Sequence, residues 1–389
     1  MTVNILDVLL ILAVGAPVAW LSERLKFPNA VAQVVLGVLF GSAVLGWVGH
    51  SPALHFLGEV GVVLLLGVAG VELGFHRLVA AGWSGVAVGV LGILLSLLGG
   101  FGVGKLFGSP NEASIFLGLA LAATSIGITV QILEQYGLIG RRVADIVIAA
   151  AVIDDVVALY LLGVAHGVMA EGLSALAALR YLLFAGLALA ILFVIGQSLT
   201  RLAIRLNWLA STTACSIWGL LAIAFGAVAT SWLGLSLVVG AFFAGVAVGE
   251  GIGKARRQQC VVALKPLVWV LMPFFFVMIG VQAQWQALTE PALFGYVSVL
   301  IVVAVISKAA GGLIVGLPVK GWRERWIVAF GMVPRGEVGL IVATLAFGQG
   351  HISESLFVVI VLATIAASVL GPLLLAPVAS RYRKAPCNP

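Results

Sequence analysis

Apolar runs of about 20 residues recur from one end of this chain to the other, and each can cross a bilayer core of about 30 Å. They leave almost nothing from which to build a water-facing surface. Only 9% of the 389 residues are charged and 62% are hydrophobic, whereas soluble domains carry roughly 25% charged residues. No long polar stretch remains for a soluble domain, which excludes a single-span anchor. The runs are continuous rather than alternating, which argues against a β-barrel. The first run, from Ile5 to Trp20, has its basic residues Arg24 and Lys26 after it. A secretory signal has the reverse order, so a retained first span is expected.

Breaks at Gly, Pro and charged clusters divide the chain into thirteen expected spans. They cover roughly residues 4–22, 28–48, 53–74, 80–104, 112–133, 143–167, 174–204, 211–232, 235–252, 264–283, 291–317, 326–348 and 354–379. The distribution of positive charge tests this division. With the N-terminus outside, all but four of the 21 basic residues fall in cytoplasmic segments. Lys105 and Arg180 fall on the other side, and Lys308 and Arg335 lie inside spans. A multi-pass protein of the cell inner (plasma) membrane, N-terminus outside and C-terminus cytoplasmic, is therefore expected. The net charge of +6 belongs to this asymmetry, and nucleic acid is not an expected partner.

The chain also echoes itself. Val35-Leu36-Gly37-Val38-Leu39-Phe40-Gly41 in span 2 resembles Val238-Val239-Gly240-Ala241-Phe242-Phe243-Ala244 in span 9. Val68-Ala69-Gly70-Val71-Glu72 in span 3 resembles Met278-Ile279-Gly280-Val281-Gln282 in span 10. Matching spans are seven apart, an odd number, so the halves are inverted. The expected fold is all-α and polytopic, with two inverted six-helix repeats joined by span 7, a plan common to secondary transporters.

A few groups do not belong in lipid. A central charge costs about 2.5–3.5 kcal/mol on insertion scales, so it is expected to face a bundle interior or a cavity and to find a partner there. Asp154 and Asp155 sit together at the centre of span 6. Adjacent helical residues point about 100° apart, so one carboxylate can meet a fixed partner while the other faces a cavity. Proximity and burial both raise carboxylate proton affinity, which lets a proton and a cation compete for the same oxygens. Lys308 in span 11 is a natural countercharge, either as a fixed structural bridge or as a switchable one.

Two spans are interrupted at their centres. Span 5 carries Ala123-Thr124-Ser125-Ile126-Gly127-Ile128-Thr129, and span 12 carries Gly331-Met332-Val333-Pro334-Arg335-Gly336-Glu337-Val338-Gly339. Pro removes a backbone donor and Gly weakens a helix interior. Broken helices at corresponding places in two repeats point to a transport site at the membrane midplane. Arg335 and Glu337 are candidates to compensate the exposed helix ends or to pair within the core. The five histidines lie near span ends, and the three cysteines have no metal or redox spacing. No phosphate-binding loop, zinc helix motif or nucleophile elbow is present, so neither an enzyme nor a cofactor is expected.

These motifs together resemble those of NapA-type bacterial sodium/proton antiporters, in the monovalent cation:proton antiporter family that also contains Kef-type potassium efflux membrane domains. The pieces that carry the likeness are Ala123–Thr129, Ile153-Asp154-Asp155, Ser307-Lys308 and the stretch from Gly331 through Val342. The resemblance implies a homodimer. It implies a core domain at 80–167 and 291–379, a dimerisation domain at 4–74 and 211–283, and a linker helix at 174–204, with two crossing broken helices in the core. It implies that Asp155 carries sodium (or lithium) and protons, that Asp154 pairs with Lys308, and that Thr124 and Ser125 add oxygens. Thr129, Pro334, Arg335 and Glu337 would support the broken helices. Electrogenic exchange for pH homeostasis is the implied activity. The potassium branch usually has Gln-Asp at the pair and a cytosolic nucleotide-binding domain. The Asp-Asp pair and the short stretch after the last span lead us to expect sodium.

Other readings remain at this point. A potassium/proton antiporter would share the fold, and a sodium-coupled organic anion symporter would share the inverted repeat. An intramembrane aspartyl protease needs aspartates facing one another from separate helices, which adjacent residues cannot readily supply. A channel is disfavoured by the paired broken helices.

Overall fold

The computed structural model of the chain describes residues 5–25, 29–41, 44–49, 51–80, 82–138, 141–171, 175–282, 291–314 and 321–383. No strand occurs among these residues. Inside lipid each backbone must satisfy its own hydrogen bonds, and continuous apolar runs do so as helices. In order, the described residues form α1 (Ile5–Leu25), α2 (Asn29–Phe40), α3 (Pro52–Ala80), α4 (Gly82–Leu106), α5 (Asn111–Ala120), α6 (Ile126–Gln135) and α7 (Arg142–Glu171). There follow α8 (Ala175–Arg205), α9 (Thr212–Trp232), α10 (Leu237–Gln282), α11 (Pro291–Ile314), α12 (Trp322–Gly331), α13 (Glu337–Gly348) and α14 (Glu354–Arg383). Among the described residues, eight helical segments are long and apolar enough to cross a membrane alone.

Three interruptions shape this order. The backbone leaves helix at residues 121–125, between α5 and α6, and at residues 332–336, between α12 and α13. Both lie where the sequence places its breaks. In the second, Pro334 lacks the amide that would continue the ladder. The third is a correction. The polar stretch between expected spans 9 and 10 reads as a loop, yet it is helical except at Gly253, where φ is 75°. That left-handed geometry costs glycine little. The Lys-Ala-Arg-Arg-Gln-Gln run after it is made of good helix formers, so helix restarts at once and α10 has two arms.

The chain divides into two compact units. One comprises Met1–Val18, Gln33–Val79 and Leu159–Val281. Here α10 is gripped at backbone distance by two other helices. A Cβ placed on Gly37 of α2 would lie 2.0 Å from the Val277 carbonyl oxygen, and one on Gly245 of α10 would lie 2.0 Å from that of Gly67 in α3. Small residues permit such approach where apolar side chains gain little over lipid.

The second unit comprises Ala19–Ala32, Ala80–Ala158 and Gln282–Pro389. In it α4 packs on α5 and α11, α11 on α12 and α14, and α13 on α5 and α14. An apolar cluster around Leu133, Leu138, Val143, Val147, Ile327 and Leu375 fills the space between α6, α7, α12 and α14. This unit holds both interrupted pairs and the middle of α7.

Candidate functional site

The two breaks lie against each other. The Ser125 amide donates to the Pro334 carbonyl at 2.8 Å. Thr129, in the first turn of α6, donates from its hydroxyl to the Gly331 carbonyl at 2.7 Å. A helix that stops leaves its last carbonyls without intrahelical partners, and the Thr129 hydroxyl satisfies that of Gly331, the last residue of α12.

Arg335 supplies the rest of the frame. It is 1% exposed, and its guanidinium donates to the carbonyls of Ala123 and Ala304, both at 2.9 Å. A cation at a helix C-terminal end offsets the partial negative charge there. The sequence left open whether Arg335 pairs in the core or compensates a helix end. It bonds to the last-turn side of the first break, and also to α11. Glu337 opens α13, and its side chain lies outside the described set.

The mid-helix carboxylates face this frame from α7. Asp154 is fully buried, and its Oδ2 accepts from Lys308 Nζ and from the Thr124 hydroxyl at 2.7 Å. Lys308 is also fully buried. The other oxygen of Asp154, Oδ1, is buried and accepts no hydrogen bond from the described residues. Asp155 follows in the same turn and is half-buried, within electrostatic reach of Lys308. Ser125 is buried beside Gly336, where a Cβ would meet its hydroxyl at 2.9 Å. Thus Asp154, Thr124, Lys308, Ser125, Thr129, Pro334 and Arg335 converge, and Asp155 adjoins them.

Several participants carry no sequence signal. Ser368 of α14 donates from its hydroxyl toward the Arg335 carbonyl at 2.5 Å. Ser96 of α4 and Ser307 of α11 share a hydrogen bond of 3.2 Å one residue before Lys308. Gly92, a turn earlier in α4, leaves room for that lysine: a Cβ there would sit 3.5 Å from Nζ. Serine and glycine are ordinary in membrane helices, so only the fold singles out Ser368, Ser96 and Gly92.

Two positive and two negative side chains therefore lie close together among backbone dipoles and hydroxyls. Lys308 is engaged by Asp154 and Arg335 by main-chain carbonyls, so a proton or cation taken up beside them offsets carboxylate charge that burial would otherwise penalise. Such a cluster can accept one cationic species at the expense of another.

Comparison with known proteins points the same way. The family described as "Sodium/hydrogen exchanger, transmembrane" matches residues 9–381. The chain is 30% identical over 365 residues to the Na(+)/H(+) antiporter of Enterococcus hirae, covering 91% of this chain and 92% of that protein. It is 32% identical over 362 residues to the Na(+)/H(+)-K(+) antiporter GerN of Bacillus cereus, covering 90% of each. Its fold is similar to that of the sodium proton antiporter MjNhaP1 from Methanocaldococcus jannaschii. There the TM-score is 0.75 at 18% identity, over 97% of this chain and 96% of that one.

Proposed function

The chain belongs to the sodium/hydrogen exchanger family and is a multi-pass secondary active exchanger, and we propose that it exchanges sodium or lithium for protons by alternating access at Asp155. The observation that carries this reading is the buried meeting of the two helix breaks with the centre of α7. Asp154 is held by Lys308 and Thr124. Asp155, the next residue of α7, is half-buried beside this frame, and we assign it the binding and release of the ion.

The proposed cycle uses only this chain's groups. A hard cation requires oxygen ligands. Here they come from the Asp155 carboxylate, Asp154 Oδ1 and the hydroxyls of Thr124 and Ser125. Deprotonated Asp155 takes the cation on one side of the membrane and exchanges it for a proton on the other. With Asp155 ionised and empty, moving the cluster through an apolar gate leaves a carboxylate uncompensated, which buried surroundings penalise by several kcal/mol. Only the loaded forms cross, and that enforces exchange. We read Asp154–Lys308 as a coupling bridge, so that more charge moves as protons than as sodium.

In this reading the second unit, which holds the crossing, is the moving core. The first is the scaffold through which a homodimer forms, with α8 as linker. In this reading each interrupted pair counts as one crossing and α10 as two, thirteen in all, and the sidedness of the basic residues favours an N-terminus outside and a C-terminus in the cytoplasm. No enzymatic step and no cofactor enter this scheme.

Proteoliposomes loaded with a pH-sensitive dye test it. Sodium added outside should drive proton efflux, and Asp155→Asn should abolish the signal. Exchange at wild-type rate by that variant would remove Asp155 from the mechanism. The name printed for GerN includes potassium, which favours a second reading, potassium/proton exchange at the same site. Running the assay with sodium, lithium and potassium in turn separates the two.

A further inference from the structure

Two cysteines remote in sequence come together in the first unit, away from the helix crossing. Cys215 lies in the first turn of α9, a helix started by Ser211, whose hydroxyl accepts from the Ala214 amide at 3.1 Å. Cys260 lies in the second arm of α10, shortly after the kink at Gly253. The Cys260 thiol donates toward the Cys215 carbonyl at 3.5 Å, so its sulfur rests directly on the residue that carries the other thiol. Both are buried, at 3% and 0% exposure, and both are free thiols.

The surroundings hold the pair in register. Gly219, one turn beyond Cys215, gives Cys260 its seat: a Cβ there would lie 3.4 Å from Cys260 Sγ and from Leu264 Cδ1. Arg256, one turn before Cys260, donates to the Leu209 carbonyl at 3.3 Å. That bond ties the turn before α9 to the start of the second arm. The two cysteines are thus fixed against each other on two helices joined at the same end, in one buried apolar cluster.

We infer that Cys215 and Cys260 form a dithiol site for monosubstituted trivalent arsenicals. These are neutral, lipid-permeable and selective for paired thiols. In the reaction both sulfurs add to arsenic. Two As–S bonds form, the arsenic–oxygen bonding is broken, and the two thiol protons leave with the oxygen as one water. Arsenic stays trivalent, so no oxidant or reductant is consumed. Once the first sulfur has bonded, the second reacts at the effective concentration of a fixed neighbour, which strengthens capture by about 100-fold or more over a single thiol. This inference stands apart from the ion-exchange reading and holds whichever ion is carried.

The test uses the purified full-length chain in detergent micelles and phenylarsine oxide as the probe. Native mass spectrometry should report one phenylarsenic per chain, resistant to excess monothiol and removed by a small dithiol. Cys215→Ser and Cys260→Ser should each bind at least about 100-fold more weakly. Cys387→Ser, outside the described residues, should bind as wild type. Peptide mapping of wild-type chain alkylated after arsenical treatment needs no variant: Cys215 and Cys260 should be protected together. Alkylation of both despite the arsenical, or an adduct that survives in both serine variants, would overturn the site.

Discussion

The Asp154–Lys308 pair is fully enclosed, so its two halves are unequal to remove. Taking away one partner of a buried ion pair strands the other and costs about 3–5 kcal/mol, whereas replacing both can be nearly neutral. Lys308→Gln is therefore expected to lower the melting temperature of the detergent-solubilised protein sharply. The double variant Asp154→Asn/Lys308→Gln should recover much of that loss. Equal destabilisation by single and double variants would mean the bridge is not what holds Asp154. The sequence already exposed these residues, because a charge at mid-span stands out against apolar neighbours. It could not disclose Ser368, Ser96 or Gly92. Their chemistry is common in membrane helices, and their roles exist only through what the fold sets opposite them.

At the scale of elements, the broken helices were legible because proline and clustered glycine interrupt a ladder whatever surrounds them. The junction inside α10 was not. Its charged residues read as a loop, yet they form helix readily, and a single glycine suffices to join two arms. Helix contacts were legible only as glycine-rich faces, without partners. The structure supplies the partners and a prediction. Gly37→Ala would press a methyl group onto the Val277 carbonyl at 2.0 Å, and overpacking of this kind costs typically about 1–3 kcal/mol. Gly102→Ala in α4 meets nothing within 4 Å, and removing a helical glycine is expected to be neutral or stabilising. Thermal unfolding followed by size-exclusion fluorescence should separate the two variants in that order. Similar melting points would argue against a tight α2–α10 contact.

At the scale of the molecule, the two compact units predict where sodium acts. Amide hydrogen exchange should slow on sodium addition at residues 121–125 and 332–336, which frame the crossing. Peptides around Gly37, Gly245 and Gly280 should be unaffected. Slowing of equal size across both units would tell against a site confined to the second. Polytopic class could be read from charge scarcity, since this is a whole-chain property. Charge and hydropathy do not give a division into units, because it depends on which helices meet; the expected core and dimerisation domains rest on the family resemblance alone. The crossing also bears on how such exchangers diversify. Its acceptors are main-chain carbonyls, those of Pro334, Gly331, Ala123 and Ala304, reached by the Ser125 amide and by the side chains of Thr129 and Arg335. Main-chain groups survive most substitutions. Side chains other than Thr129 and Arg335 are thus free to drift over evolutionary time while the scaffold for exchange stays standing.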